Sequence, residues 1–135
     1  MEEALPKEEI FSDFAGIDRK FQISYKYIEP LKMYAVYANE DVSSDKDGYY
    51  FSSLKTNIPS ALGDLRRKIR KRLSIRYLSK TPDHYNFNFD EIVGHIGYGG
   101  VVVDGIFLTF EDLCKGMQVY EGFLFELKIK DLSRE

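Results

Sequence analysis

Three observations predict an α+β fold for this chain. Period-two alternation marks strands at Phe21–Tyr27 and Phe123–Ile129. An apolar period of three and four residues marks one long helix from Leu62 to Tyr77. Asp104-Gly105 stands between two short apolar runs, which signals a two-residue hairpin. Strands joined by short turns, with few helices, give a mostly antiparallel sheet. One long basic amphipathic helix and one short helix pack it, in the approximate order βββ-α-β-ββ-α-β.

Residues 1–19 read as a polar N-terminal extension, with a short helix over Glu8–Phe14 that gathers Ile10, Phe11 and Phe14. Residues 20–131 then form a single domain. In its first strand Phe21, Ile23, Tyr25 and Tyr27 point one way and Gln22, Ser24 and Lys26 the other. Glu29-Pro30 breaks it. Leu31–Asn39 is apolar on both faces, which suits an internal strand. A polar loop, Asp41–Gly48, leads to a third strand over Tyr49–Leu54. Pro59-Ser60 opens the long helix, which is expected to run to about Ser79 with Leu62, Leu65, Ile69, Leu73 and Tyr77 as its stripe. Toward its end the pattern degrades, because Arg76 and Lys80 fall within the stripe and Ile75 and Leu78 outside it. Thr81-Pro82-Asp83 ends the helix.

The stretch His84–Asp90 supports no assignment, and Ile92–Ile96 reads as a short strand. After the Asp104-Gly105 turn, Thr109 caps the short helix, with Asp112 in the capping-box position. Phe110, Leu113, Cys114 and Met117 share one face of that helix, and Gly116 and Gly122 bracket its exit. In the last strand Phe123, Phe125, Leu127 and Ile129 face in, while Glu126, Lys128 and Lys130 face out. Burial is expected for Leu65, Ile69 and Leu73 against the sheet, together with those four residues.

At 135 residues the chain has one domain's length, and 44% apolar with 30% charged residues excludes disorder on composition. No apolar run approaches the ~20 residues that span a bilayer. The start, Met1-Glu2-Glu3-Ala4-Leu5-Pro6-Lys7, lacks the basic and apolar parts of a signal peptide. A single cysteine, Cys114, excludes an internal disulfide and a cysteine-built zinc site. His84 and His95 leave little for a histidine-based metal centre. These subtractions predict a cytoplasmic protein without cofactor or membrane contact, and leave the oligomeric state open.

Charge is uneven. Arg66, Arg67, Lys68, Arg70, Lys71, Arg72, Arg76 and Lys80 carry +8 with no acid among them; the net charge is −3, so the other residues carry −11. An acidic body discourages nonspecific nucleic-acid binding, while a basic segment can still attract phosphate or an acidic partner. Arg66, Arg67, Arg70 and Lys71 are the candidate binding residues of this helix. The cations are spread around it rather than gathered in one stripe. Neutralising acidic surroundings is therefore favoured over tracking a phosphate backbone.

Other chemistry is weaker. Gly48-Tyr49-Tyr50-Phe51 is a poor match to an RNA-stacking strand, since Asp47 stands where a basic residue is needed and no helix separates the first two strands. Asp41, Asp45 and Asp47 fail as a calcium loop, because Leu54 occupies the place of the bidentate carboxylate. Gly97-Tyr98-Gly99-Gly100 precedes a hairpin rather than a helix, so it is not a phosphate cradle. Cys114, on an apolar helix face, reads as a buried, inert thiol. Scattered carboxylates could meet in space as an acid–base pair, but none is selected.

Several motifs resemble an uncharacterised family of small bacterial α+β domains. They are Lys20-Phe21-Gln22-Ile23-Ser24, Gly48-Tyr49-Tyr50-Phe51, and Leu65, Lys68-Ile69-Arg70, Leu73 and Tyr77-Leu78 of the helix. The C-terminal block is Asp104-Gly105, Thr109-Phe110-Glu111, Leu113, Tyr120-Glu121-Gly122-Phe123 and Ile129-Lys130-Asp131. Some similar proteins carry an additional N-terminal zinc-ribbon-like segment, whose cysteines this chain lacks. The resemblance implies a bacterial cytoplasmic domain and supplies no catalytic residue. Within it, Glu121 is a further candidate binding residue, set against a reading of Tyr120-Glu121-Gly122 as a structural turn.

The expected function is a non-catalytic binding or protein-interaction module, similar to immunity or antitoxin-like proteins in size and charge alone. Nucleic-acid binding through helix residues 66–80 is the alternative. An enzyme using dispersed carboxylates is the third.

Overall fold

A computed structural model describes residues 5–42, 48–82, 84–88 and 91–134. Among these residues the fold is α+β, with antiparallel sheets and two α-helices. The sequence drew one domain over 20–131. The structure gathers the chain into two compact units, Met1–Asp41 with Tyr50–Ile75 and Lys130–Glu135, and Val42–Tyr49 with Arg76–Ile129. Most of the acidic loop read at Asp41–Gly48 lies outside the described residues, as do Asp83, Phe89 and Asp90.

The first unit is a four-stranded antiparallel meander of β1 (Glu8–Ser12), β2 (Asp18–Ile28), β3 (Met33–Glu40) and β4 (Tyr50–Lys55), in that order across the sheet. Helix α1 (Ile58–Leu73) packs on β3 and β4 and touches β1. Phe21, Val36, Ala38 and Phe51 meet Ala61, Leu65, Ile69 and Leu73 in a core where each of these side chains is fully buried. The Phe21 ring stands 5.9 Å from Phe11 and 6.0 Å from Phe51. Tyr25 and Tyr27, expected to face in with Phe21 and Ile23, are exposed instead.

Glu8–Ser12 is a strand, not the expected short helix. It pairs with β2 from Glu8↔Gln22 to Ser12↔Asp18. Phe11 turns inward, while Glu9, two residues away, reaches Arg66 of α1. A carboxylate at an inward position breaks the apolar alternation that reveals a strand.

Helix α1 starts where Asn57 accepts a hydrogen bond from the Ser60 amide at 2.8 Å. It stops at Leu73, short of the expected Ser79. The Tyr77 and Leu78 amides donate instead to the Asp104 carboxylate, both to Oδ2 at 2.9 and 2.8 Å. Amides so engaged cannot continue the helical ladder. Leu78–Lys80 becomes a strand, β5, which pairs with β6 (Tyr85–Phe87) out of the unassigned stretch.

The second unit adds a sheet of β7 (Gly94–Gly97), β8 (Gly100–Val103) and β9 (Ile106–Thr109). The hairpin turns at Asp104-Gly105, with φ +57° and +74°, the positive pair that a type I′ turn requires. Helix α2 (Phe110–Met117) carries the Thr109–Asp112 capping box. Gly116 lets it close on β6, since a Cβ there would stand 2.7 Å from the Phe87 ring. Two expectations fail in this unit. Cys114 is exposed rather than buried. Phe123–Ile129 forms no ladder with any described strand, and all four inward-assigned residues are at least 70% exposed.

Candidate interaction surface

The helix cations divide by what they touch. Arg66 is bidentate on Glu9 of β1, with Nε 2.9 Å from Oε1, and the contact raises its pKa above the ordinary value. Arg67 pairs with Asp64 at 2.6 Å. Lys68 is buried, 3.1 Å from Asp64, and donates to the Ser52 and Ser133 carbonyls at 3.0 and 2.7 Å. Arg72 is buried over the Phe51 ring. Arg66, Lys68 and Arg72 thus tie α1 to the sheet, while Arg67 pairs within the helix and its side chain stays 60% exposed. Lys71 is exposed.

Asp64 is the hub of this network. It also accepts from the buried Ser53 hydroxyl at 2.6 Å. Burial alone would raise its carboxyl, but hydrogen bonds from Ser53, Arg67 and Lys68, with the Lys68 charge, lower its pKa to about 2. Asp13 is a second such point. Burial opposes its ionised form, yet the Ile17 and Ala15 amides and the Arg19 guanidinium bring its pKa below the ordinary value. Arg19 also meets Glu40 at 3.0 Å. Both acids are thus held ionised beside a guanidinium, which suits ion pairing better than proton transfer. Among the described residues, no cluster of three or more His, Cys, Asp or Glu could hold a metal ion.

Arg70 differs from its neighbours. It is exposed, its guanidinium lies 5.4 Å from the centre of the Phe11 ring, and no described carboxylate forms an ion pair with it. With Arg66 it lines an open depression completed by Glu9, Ile10 and Phe11. Ile10 is 61% exposed there. Strand β1 is the edge of its sheet, so one row of its backbone groups has no strand partner. The depression therefore offers an edge strand with a guanidinium over its inward face and an apolar side chain, Ile10, on the opposite face.

Of the sequence-derived candidates, the structure brings Arg66 and Arg70 together. Arg67 and Lys71 lie outside the depression. Glu121 belongs to the other compact unit, and its side chain is exposed. Its amide donates to Gln118, and Gly122 follows at φ +88°. Tyr120 stacks on Phe87 with centroids 6.2 Å apart, so the motif anchors a turn. Glu9, Ile10 and Phe11 were missed because their segment reads as a helix. No local sequence signal joins them to the helix, since Glu9 and Arg66 lie 57 residues apart.

No helix among the described residues is long and apolar enough to cross a membrane. No curated protein and no solved structure matches the chain. Residues 77–134 match the family described as Domain of unknown function (DUF7713). Residues 3–74, which hold the whole depression and just over half the sequence, match another, and the chain accordingly belongs to the family described as Domain of unknown function (DUF7686).

Proposed function

We propose that the protein is a non-catalytic interaction module that takes an extended segment of a protein partner along β1. The observation that carries this reading is Arg70, an exposed guanidinium poised beside an edge strand and the exposed Ile10. Added strands gain affinity from main-chain hydrogen bonds and specificity from alternate side chains. Here an apolar side chain would meet Ile10 and an acidic one Arg70. The alternative, phosphate tracking by α1, needs many cations facing outward. Arg66, Arg67, Lys68 and Arg72 have internal partners instead. The single cysteine and the resemblance to small bacterial domains support a reducing bacterial cytoplasm as the setting.

Calorimetric titration of the full chain with a peptide alternating valine and aspartate tests the reading. Saturable binding is expected, weakened roughly tenfold by Arg70→Glu through loss of attraction and gain of repulsion. Equal binding by the variant, or none by the wild type, would reject it.

A further inference from the structure

The last ten residues of the second unit and its exit, Glu121–Lys130, are all exposed. Within them Phe123, Phe125, Leu127 and Ile129 line one face of a period-two pattern, at 70%, 76%, 77% and 70% exposure. Monomeric proteins rarely leave such a contiguous apolar row in water. The row is also held at its start. Phe123 donates its amide to Tyr120 and packs edge-on against the Tyr120 ring, 5.5 Å between centroids. An exposed segment with this alternation, and no ladder partner among the described residues, can form a strand by pairing with another chain.

Its own sequence says what fits. We propose that residues 125–129 pair antiparallel with the same residues of a second copy of this chain, centred on Leu127. In that register Leu127 faces Leu127, Phe125 faces Ile129, and Glu126 faces Lys128 twice over, by the two-fold symmetry. A slip by one residue would mix apolar and polar faces. Sliding by two residues, the smallest shift that keeps the faces, sets Glu126 against Glu126 or Lys128 against Lys128. Like charges directly opposite are destabilising. The charges therefore select one self-complementary register, and the occupant they select is another copy of the chain. This proposal does not involve β1 or Arg70.

Sedimentation equilibrium of the full chain tests it with two variants, Glu126→Lys and Lys128→Glu. Both positions are exposed, so the fold should persist, as circular dichroism would verify. Each variant alone sets like charges opposite each other in both pairs, and should weaken dimerisation roughly tenfold or more. Mixed together, the two variants restore both opposite-charge pairs and should form a heterodimer with wild-type affinity. A wild-type chain still monomeric at roughly 0.1 mM would overturn the proposal. So would dimerisation indifferent to either variant, or a mixture that fails to recover.

Discussion

At the scale of single residues, acids do the organising. Asp64 ties Ser53, Arg67 and Lys68 to one point. Its carboxyl is lowered from 3.8 to about 2, so its stabilisation is complete above the unfolded value and fades as pH falls toward 2. Asp64→Asn should therefore cost about 2 kcal/mol at neutral pH, and the gap from wild type should close near pH 2. Urea unfolding across that range measures both. Asp104 serves two ends at once, turning the hairpin at positive φ and accepting from Tyr77 and Leu78. Its neighbour Gly105 holds φ +74°, where a β-branched residue is strained. Gly105→Val should lower stability by roughly 1–2 kcal/mol or more, seen as a reduced denaturation midpoint. An unchanged midpoint would mean the turn is not under backbone constraint.

At the scale of elements, the apolar stripe of α1 was legible because four of its residues meet a sheet. Ile69→Ala should cost about 2–5 kcal/mol, from lost transfer energy and the cavity left behind; denaturant titration reads this directly. Gly116→Ala should loosen α2 from β6, because the added methyl meets the Phe87 ring and lies 3.0 Å from the Tyr85 carbonyl. Faster amide exchange in residues 110–117 is the expected sign. The end of α1 was only half legible. The degraded stripe after Leu73 hinted at it, but the cause, Asp104, sits some thirty residues away in sequence. Strand β1 was illegible for a related reason: Glu9 takes an inward position that its ion pair with Arg66 makes tolerable. The hairpin and the capping box needed only neighbours, and both were read correctly from local spacing.

At the scale of the whole molecule, charge asymmetry resolves into structure. The basic segment is not a free electrostatic surface, because Arg66, Arg67 and Lys68 meet carboxylates of their own unit. Apolar exposure is concentrated elsewhere, in Phe123–Ile129. There the alternation predicts a buried strand that the structure does not form, since periodicity names a face and not a partner to cover it. The candidate surface was legible in part. Arg66 and Arg70 were chosen for charge, and the edge strand that gives Arg70 its setting was not seen.

Whether the arginines serve an edge strand or a phosphate backbone is decided most directly by amide hydrogen exchange on the full chain at physiological salt. One sample holds the alternating valine–aspartate peptide, and another holds single- and double-stranded DNA and RNA. Added strand pairing should slow exchange of the Glu8–Ser12 amides with the peptide, and nucleic acid should leave them unchanged. Micromolar or tighter nucleic-acid binding, abolished by Arg67→Glu with Lys71→Glu while Glu8–Ser12 stay unprotected by peptide, would contradict the account.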